Sequence, residues 1–278
     1  MIKCWFDYKT VIVTGASAGM GKGIVEKLIK EHNCTVIGIA RNAERLENVK
    51  EELGDKGYKF SYRTFDVSVE SNWIDFAQYL KKEGIQPDIL INNAGILPRF
   101  DKFGHYTIGD IERGMNINFY SAIYSMHYLL PLILESASPT IFNIASSAAL
   151  CALAGTSVYS ASKAALKSMT EAVREEYRGR CYVGLFCPGF TKTSIFREQD
   201  VSKGKKALDM VSTDCDYMVE KIIEALWKKK SESVVGIDAK FMGEGGKVAG
   251  VLTSWFCSKV LKMSRLPMFE QVFVDDGE

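Results

Sequence analysis

The 278-residue chain has little of what several large classes of protein require. It contains 3 His, at positions 32, 105 and 127, with neither an HExxH motif nor clustered carboxylates. A zinc hydrolase or a His-based triad therefore has little support. Its 7 Cys form no CxxC pair. An odd Cys count without a recognisable signal peptide predicts reduced, mostly buried thiols in a cytoplasmic protein, with neither a metal site nor a disulfide framework.

An excess of charge of one sign is also missing. Lys and Arg number 35 against 34 Asp and Glu. No overall field therefore attracts nucleic acid or an anionic membrane, and we expect no nucleic-acid partner. Low-complexity tracts, internal repeats and Pro/Gly-rich linkers are absent too, so the length suits one large domain.

What is present is an alternation of short apolar runs with helical patterns, beginning at residue 10. Near-continuous apolar strands separated by helices predict a parallel sheet covered on both faces, which is a doubly wound α/β fold. We expect seven strands, in TVIVTG, CTVIGIA, YKFSYRTFD, DILINNAG, TIFNIAS, CYVGLFCPG and SVVGI. We expect helices over 20–31, 43–54, 69–83, a long region ending near 136, 156–178 and 213–229.

The first strand runs straight into TGASAGMGKGI, in which Gly15, Gly19 and Gly21 precede a helical pattern. Glycines there allow close backbone approach, and a helix N-terminus offers unpaired N–H groups to a pyrophosphate. A tight strand-to-helix turn without a ligand is the plainer alternative. A P-loop is excluded, because Ala16 stands where its first Gly is needed and no Ser or Thr follows Lys22.

A Tyr and a Lys four positions apart occur twice, at Tyr159 and Lys163 in YSASK and at Tyr217 and Lys221. Side chains four apart share one face of a helix, so a phenol and an ammonium can point into the same space. A free phenol has a pKa of about 10, and a neighbouring cation lowers that pKa toward the range useful for proton transfer. The spacing alone does not choose between the pairs.

Four motifs in order provide the context. TGASAGMG, NNAG at 92–95, Ser146 thirteen residues before Tyr159, and PGFTKT at 188–193 together resemble the short-chain dehydrogenase/reductase family. The resemblance covers roughly residues 8–237. Counting back from Tyr217 reaches Gly204 and no strand-end Ser, so that pair is interpreted as solvated. The resemblance implies a Rossmann-type dinucleotide-binding catalytic domain over 1–238 and a C-terminal extension over 239–278.

The resemblance also implies roles for individual side chains. Ser146 would hold the reacting oxygen, and Tyr159 would act as the acid or base. Lys163 would bias the phenol and hold the nicotinamide ribose, and Asn118 would link that Lys to solvent through water. Two neighbours remain alternatives for these positions, Ser147 and Asn116.

The end of the second strand bears on the choice of nicotinamide. Ala40 stands where NAD-selective sites usually place an acid, and Arg41 follows. A guanidinium can hold a 2′-phosphate that a carboxylate would repel, so NADP is the expected cofactor, with Lys22 and Arg45 as candidate auxiliaries. Asp66 matches the family position facing adenine, and it could also cap a helix. The expected nucleotide contacts are Gly15, Ala16, Ser17, Ala18, Gly19, Met20, Gly21, Arg41, Asp66, Val67, Asn93, Ala94, Gly95, Tyr159, Lys163, Pro188, Gly189, Thr191 and Thr193.

The substrate is less well specified. Three loops are expected over the active-site mouth, at 96–106, 149–158 and 194–212, the last as a charged lid. They supply the apolar residues Leu97, Phe100, Phe103, Leu150 and Leu153. An apolar pocket favours a lipophilic ketone or alcohol of steroid or fatty-chain type.

The tail sequence VAGVLTSWFCSKVLKM, residues 248–263, has apolar residues at helix-like intervals. It is too short and interrupted to span a membrane. Packing across an interface or over the pocket, docking on a membrane surface, and fraying are the three interpretations. We expect residues 248–266 to pack on protein, because few cations accompany the apolar stripe.

The leading hypothesis is an NADP(H)-dependent oxidoreductase that interconverts a ketone and a secondary alcohol by hydride transfer, as a homodimer or homotetramer. One alternative is an NADP-binding sensor or scaffold without turnover, since a fold does not guarantee a function. The joint presence of Ser146, Tyr159 and Lys163 argues against it. The other alternative is an epimerase or dehydratase with the same Tyr and Lys chemistry, but the residues after 238 leave little room for the substrate domain such enzymes usually have.

Overall fold

The computed structural model describes residues 4–98, 100–192, 212–264 and 272–273, and within them seven strands form one parallel sheet. The strands are β1 (Thr10–Thr14), β2 (Thr35–Ala40), β3 (Phe60–Thr64), β4 (Ile89–Asn92), β5 (Thr140–Ile144), β6 (Tyr182–Pro188) and β7 (Glu232–Val235). Their order is β3-β2-β1-β4-β5-β6-β7. The order reverses between β1 and β4, where open α/β sheets bind ligands. The predicted doubly wound fold is confirmed.

The helices follow the predicted alternation. They are α1 (Gly19–Lys30), α2 (Ala43–Glu52), α3 (Glu70–Lys82), α4 (Ile108–Met115), α5 (Ser121–Ile133), α6 (Ser157–Glu176), α7 (Cys215–Trp227) and α8 (Ile237–Ser264). The region predicted as one long helix is α4 and α5 joined by a π-helical turn at Asn116–Tyr120. Short 3₁₀ segments lie at Gly54–Lys59, Phe103–His105 and Ser147–Ala149.

Side chains of the central strand alternate between two core layers. Val11 and Val13 of β1 pack in the layer that contains α1 and α7, whereas Ile12 packs with Trp73 of α3 and Leu129 of α5. All five side chains are fully buried. Because both faces of the sheet are covered, the strands are apolar at successive positions rather than at alternate ones.

A buried chain of hydrogen bonds ties α6 to the strands. Ser125 Oγ donates to Asn92 Oδ1 at 2.7 Å, and Asn92 Nδ2 donates to Asn143 Oδ1 at 2.9 Å. Asn143 Nδ2 then donates to Thr170 Oγ1 at 2.9 Å. A satisfied buried network of this kind rigidifies a core. It fixes α6, which carries the YSASK motif, relative to the ends of β4 and β5.

The last helix is bent back on itself. Ala249 has the non-helical angles φ −150 and ψ 61. The ring centroids of Phe241 and Phe256 are 5.8 Å apart, and a Cβ on Gly245 would lie 2.7 Å from Thr253 Oγ1. In a straight helix, a rise of about 1.5 Å per residue would separate residues 241 and 256 by about 22 Å. Residues 237–264 therefore form a helical hairpin, called here the tail hairpin.

The cysteines and the long helices bear on two of the earlier expectations. All seven Cys lie within the described residues as free thiols, and Cys34, Cys151, Cys181 and Cys187 are buried. Burial raises the pKa of Cys34 and of Cys187 to about 12, so both are inert thiols at neutral pH. Within the described parts of the chain, no helix is both long and apolar enough to cross a membrane.

Candidate active site

The glycine-rich turn after β1 has the geometry of an anion site. Gly15 and Gly19 have φ of 67° and 52°, left-handed conformations that favour glycine. A Cβ on Gly21 would lie 2.1 Å from the Gly15 carbonyl oxygen, so glycine lets α1 pack against the turn. The N-cap of α1 is Ala18, which makes no side-chain cap, and the first turn contains no acid. The free N–H groups there can bind an anion.

An open cleft of about 650 Å³ runs along the ends of β1, β2 and β4 beside this turn. Most of the predicted nucleotide contacts line it: Gly15, Ser17, Ala18, Gly19, Met20, Arg41, Asp66, Val67, Asn93, Ala94 and Gly95. Ala16 does not, because its side chain is fully buried in the core. Gly21 does not either, because it lies against the inner side of the turn. These two residues shape the turn instead of lining the cleft.

A smaller apolar pocket of about 100 Å³ adjoins the cleft. Met20, Asn93, Gly95 and Leu97 line both spaces. Of the predicted site residues, Ser146, Tyr159, Lys163, Pro188, Gly189 and Thr191 line the pocket. Thr193 and most of the predicted lid at 194–212 lie outside the described residues. The two spaces meet where the predicted catalytic side chains converge.

Arg41 and Asp66 face each other across the outer end of the cleft. Arg41 Nη1 lies 4.0 Å from Asp66 Oδ2, and the Arg41 side chain is 61% exposed. Burial raises the pKa of Asp66, but hydrogen bonds from Ser68 and the charge of Arg41 outweigh it, so the pKa falls below its usual value. Asp66 does not cap α3: the cap is Val69 without a side-chain bond, and Asp66 Oδ1 accepts from Ser68 N at 2.9 Å instead.

A second guanidinium shares this rim. Asn42 caps α2 by accepting from Arg45 N at 2.8 Å. The helix begins at Ala43, two residues after Arg41, and both arginines line the cleft. Lys22, the other candidate auxiliary, instead pairs with Glu52 at 2.5 Å and does not line the cleft.

Thr14 organises the cleft and was missed by sequence reasoning. Its Oγ1 accepts from both Asn93 N and Ala94 N at 3.0 Å. Asn93 Nδ2 donates in return to the Thr14 carbonyl at 2.9 Å. The NNAG segment is therefore fixed against the glycine-rich turn. The available signal was a hydroxyl that ends an otherwise apolar strand.

The YSASK motif lies at the start of α6. Lys163 is 4% exposed. Its Nζ donates to the Ile144 carbonyl at 3.1 Å and lies 6.0 Å from the centroid of the Tyr159 ring. Burial lowers the pKa of Lys163 to about 8. Because Ile144 is the last residue of β5, the ammonium is held at the strand end next to Ser146.

The pKa of Tyr159 moves opposite to the sequence expectation. Burial raises it, and a hydrogen bond with the Ser146 side chain only partly offsets that rise. Lys163 sits in the same desolvated site, which weakens its own charge. The phenol therefore keeps its proton at neutral pH, as a proton donor to a developing alkoxide must.

Ser146 is favoured over Ser147 by the same contact. Both serines line the pocket, but only the Ser146 side chain is a cause of the shift in the pKa of the Tyr159 phenol, which it lowers. Ser146 Oγ also accepts from Ala148 N at 3.2 Å, which fixes its rotamer at the end of β5. The thirteen-residue interval thus corresponds to a contact between a strand end and a helix.

Asn118 lies in the π-helical turn and is 1% exposed, whereas Asn116 is exposed. Asn118 Oδ1 accepts from Ile96 N at 2.8 Å, and Asn118 Nδ2 donates to Ser162 Oγ at 3.1 Å. π-Turns occur frequently at functional sites. Asn118 therefore joins the segment after NNAG to α6. Its link to Lys163 through water stays a prediction.

Comparison with known proteins supports the same conclusion. A family model described as short chain dehydrogenase matches residues 9–203. The chain belongs to the short-chain dehydrogenase/reductase family. It is therefore an oxidoreductase of the class that acts on CH–OH and C=O groups.

Relatives of this short-chain dehydrogenase/reductase include two named enzymes and a solved structure. This chain is 34% identical to the ketoacyl reductase HetN of Nostoc sp., over 82% of this chain and 78% of that protein. It is 31% identical to 3beta-hydroxysteroid dehydrogenase 2 of Eggerthella lenta, over 67% of this chain and 72% of that protein. The closed form of serine dehydrogenase complexed with NADP+ has a TM-score of 0.71 and 28% identity, over 78% of this chain and 88% of that one.

Three of the five predicted mouth residues line the pocket of this dehydrogenase/reductase: Leu97, Phe100 and Leu153. Phe103 does not, because it is 65% exposed on a 3₁₀ turn. Leu150 does not either: it packs under the tail hairpin, where its carbonyl oxygen would lie 2.6 Å from a Cβ on Gly246. Phe190, which sequence reasoning missed, completes the apolar wall.

The tail hairpin packs beside the pocket mouth with its inner face. Ser254 Oγ donates to the Ala152 carbonyl at 2.6 Å, and Ser258 Oγ accepts from Ala154 N at 3.2 Å. Leu261 packs against the cluster of buried apolar side chains at the mouth. This inner face packs on protein, as expected for residues 248–266, of which 265 and 266 lie outside the described residues.

Cys4, Asp7 and His32 form a cluster that sequence reasoning also missed. Their potential ligand atoms lie within 4.8 Å of one another. His32 Nδ1 is 2.9 Å from Asp7 Oδ1, and Asp7 Oδ2 accepts from Cys4 N at 2.8 Å. Cys4 and Asp7 precede β1 and His32 precedes β2, so the cluster lies at the amino ends of these strands, whereas the cleft lies at their carboxyl ends. That the chain holds no metal stays a prediction.

Proposed function

We propose that this short-chain dehydrogenase/reductase interconverts a ketone and a secondary alcohol on a lipophilic substrate, with NADP(H) as its cofactor. The observation that carries the proposal is that the open cleft and the apolar pocket adjoin each other. Ser146, Tyr159 and Lys163 line the apolar pocket where it joins the nucleotide-sized cleft. A reacting carbon at this junction would have the phenol on one side and the cleft on the other.

The residues of the cleft fit NADP. The turn is tight: a Cβ on Gly15 would lie 2.8 Å from Asn93 Nδ2. The acid-free N-terminus of α1 suits the pyrophosphate. Arg41 and Arg45 at the rim suit a 2′-phosphate, and Ala40 adds no repelling carboxylate. The related serine dehydrogenase is itself complexed with NADP+.

The bound cofactor supplies the hydride for carbonyl reduction. Ser146 donates a hydrogen bond to the carbonyl oxygen, and Tyr159 gives its proton to that oxygen as negative charge develops there. The Lys163 ammonium stabilises the phenolate that remains. In the oxidative direction the phenolate takes the alcohol proton. The raised pKa of Tyr159 favours the protonated phenol that reduction requires.

The lining of the pocket supports a lipophilic substrate. Leu97, Phe100, Leu153 and Phe190 surround the space next to the phenol. Among the described residues, the lining contains no charged side chain other than Lys163; its polar residues besides the catalytic ones are Asn93, Ser147, Thr156 and Thr191. A ketoacyl reductase and a hydroxysteroid dehydrogenase stand among the relatives, and both names agree with a fatty-chain or steroid-like substrate.

A substrate panel tests this proposal. Medium-chain ketones, steroid ketones and keto-sugars would each be offered with NADPH and with NADH, and the absorbance of reduced nicotinamide followed. We expect turnover with NADPH and the apolar ketones, and its loss in Tyr159→Phe. Preference for keto-sugars would contradict the substrate class. Tight NADPH binding without turnover on any ketone would instead favour a sensor or scaffold.

A further inference from the structure

The bend of the tail hairpin presents an apolar tip to solvent. Val248 is 87% exposed, Val251 89% and Leu252 62%. These three residues flank Ala249, where the helix folds back. Trp255 and Phe256, one turn further on, are 57% and 48% exposed. A contiguous exposed apolar surface of this kind marks an interaction site.

The residues after the bend follow an ordered sequence of chemistries. Aliphatic side chains come first, then Trp255, and then Lys259 and Lys262. Lys259 Nζ lies 5.0 Å from the centroid of the Trp255 ring. At a membrane interface, aliphatic groups enter the acyl boundary, Trp sits at the headgroup level, and Lys reaches the phosphates. The order outward from the bend is the same.

The charges of the hairpin favour a lipid surface over a second copy of the chain as the binding partner of the tip. Residues 245–264 contain Lys247, Lys259 and Lys262 and neither Asp nor Glu. Lys247 already pairs with Glu244 at 3.4 Å. Two copies paired tip to tip across a two-fold axis would bring Lys259 and Lys262 of each copy together, with no carboxylate in residues 249–264 to offset them. An anionic headgroup layer complements them, at about 1 kcal/mol per Lys near the surface. We propose that the tail hairpin docks this protein on an anionic membrane surface by inserting its tip.

The inner face of the hairpin links the docked tip to the mouth of the pocket. Ser254 and Ser258 bind the backbone of Ala152 and Ala154 beside the pocket mouth. A docked tip would therefore hold the mouth close to the lipid, where a lipophilic ligand is concentrated. The docking goes beyond the proposed reaction and does not depend on it.

Few cations accompany the apolar stripe, which favoured protein contact, but the linear pattern did not show that the stripe has two separate faces. A straight stripe would have a single apolar face, and that face would be used up against the pocket. The bend at Ala249 separates an inner face that packs on protein from a tip that does not. The docking is peripheral, since no described helix could cross the bilayer.

The test uses the full chain and needs no turnover. Protein would be sedimented with vesicles of phosphatidylcholine alone and of phosphatidylcholine with phosphatidylserine. We expect pelleting with the anionic vesicles that weakens as salt is added. The double variant V251N/L252N should lower vesicle binding by about tenfold or more, since two apolar side chains leave the interface. Tyr58→Asn, at a residue 78% exposed on a remote 3₁₀ turn, is the control and should pellet like the parent.

Three results would overturn the proposal. The parent could stay in the supernatant with both vesicle types, or V251N/L252N could pellet as well as the parent. Light scattering could also show a dimer that V251N/L252N abolishes, without vesicle binding by the parent, which would make the tip a contact between copies. Circular dichroism of the variants, all at exposed positions, confirms that they are folded.

Discussion

The two Tyr–Lys pairs of this chain are alike in local geometry and unlike in everything around it. Each pair is four residues apart on a helix, and the ammonium lies 6.0 Å from the ring centroid for Tyr159 and 5.4 Å for Tyr217. Lys163 is 4% exposed and donates to a strand-end carbonyl. Tyr217 is 47% exposed, and Lys221 pairs with Glu224 at 2.7 Å.

The difference shows what turns the spacing into a reaction centre. Burial lowers the pKa of Lys163 to about 8, whereas the hydrogen bond with Glu224 raises the pKa of Lys221. Ser146 reaches the Tyr159 phenol from the end of β5. α7 instead packs with α1, and none of its residues lines the cleft or the pocket. Position at the carboxyl ends of the strands selects the pair.

The largest effect is expected at the two lysines. Lys163→Met should lower turnover by about 10²–10⁴-fold, because the phenolate left by proton transfer loses its counter-charge. NADPH affinity should fall as well, since the same ammonium is proposed to hold the ribose. Lys221→Met should change neither quantity. Steady-state rates and NADPH fluorescence titration measure both, and a Lys163→Met enzyme that binds NADPH like the parent would break the contrast.

Adjacent serines sharpen the contrast within the pocket. Ser146→Ala should lower turnover by about 10²–10³-fold, as for other donors to a developing oxyanion. Ser147→Ala should have a much smaller effect, because Ser146 and not Ser147 acts on the pKa of the Tyr159 phenol. Rates of both variants on one accepted ketone decide the matter. A larger loss in Ser147→Ala would reverse the assignment.

Arg41 and Arg180 allow a similar comparison between a charge that lines the cleft and a charge in solvent. Arg41→Ala should weaken NADPH binding by about ten- to a hundred-fold, the value of one charged contact, and leave NADH binding nearly unchanged. Arg180, exposed beyond the end of α6, is the control. Titration of each variant with both nucleotides is the measurement. An unchanged preference for NADPH in Arg41→Ala would show that another group binds the 2′-phosphate.

The smallest effect is on stability. A buried ammonium costs the folded state free energy, so Lys163→Met should raise the free energy of unfolding by about 2 kcal/mol at neutral pH. The pKa of Lys163 is lowered in the folded state, so its cost is full below about 8 and fades as the pH rises toward 10.5. Urea unfolding of parent and variant across that range measures the gap. The difference in free energy of unfolding between variant and parent should shrink as the pH rises, and a difference that grew would contradict the lowered pKa of Lys163.

Much of this architecture could be predicted from the sequence. Apolar periodicity indicated seven strands and their helices, and the resemblance to the family indicated that Ser146 and Tyr159 belong to one site. Local pattern carried no information on desolvation, which depends on the assembled core. The direction of the Tyr159 pKa was therefore wrong, and Ala16 was expected in the cleft although it faces the core.

The tail shows a second limit of sequence reasoning. The apolar intervals continue through residues 248–263, so nothing in the pattern indicated a bend at Ala249. The fold-back depends on close packing of Gly245 against Thr253 and of Gly246 against the backbone of Leu150. Such contacts join residues that a linear pattern treats as independent. Thr14 was missed for the same reason, since its partners lie about eighty residues away in NNAG.

Replacing each tyrosine by phenylalanine tests the central claim most directly. Turnover on one accepted ketone and NADPH binding would be measured for Tyr159→Phe and Tyr217→Phe side by side. Tyr159→Phe should lose about 10²-fold or more of the rate and keep its NADPH affinity, because the change removes only the proton donor. Tyr217→Phe should match the parent in both. A Tyr159→Phe enzyme that retained more than about a tenth of the parent rate, or an equal loss in Tyr217→Phe, would contradict the account.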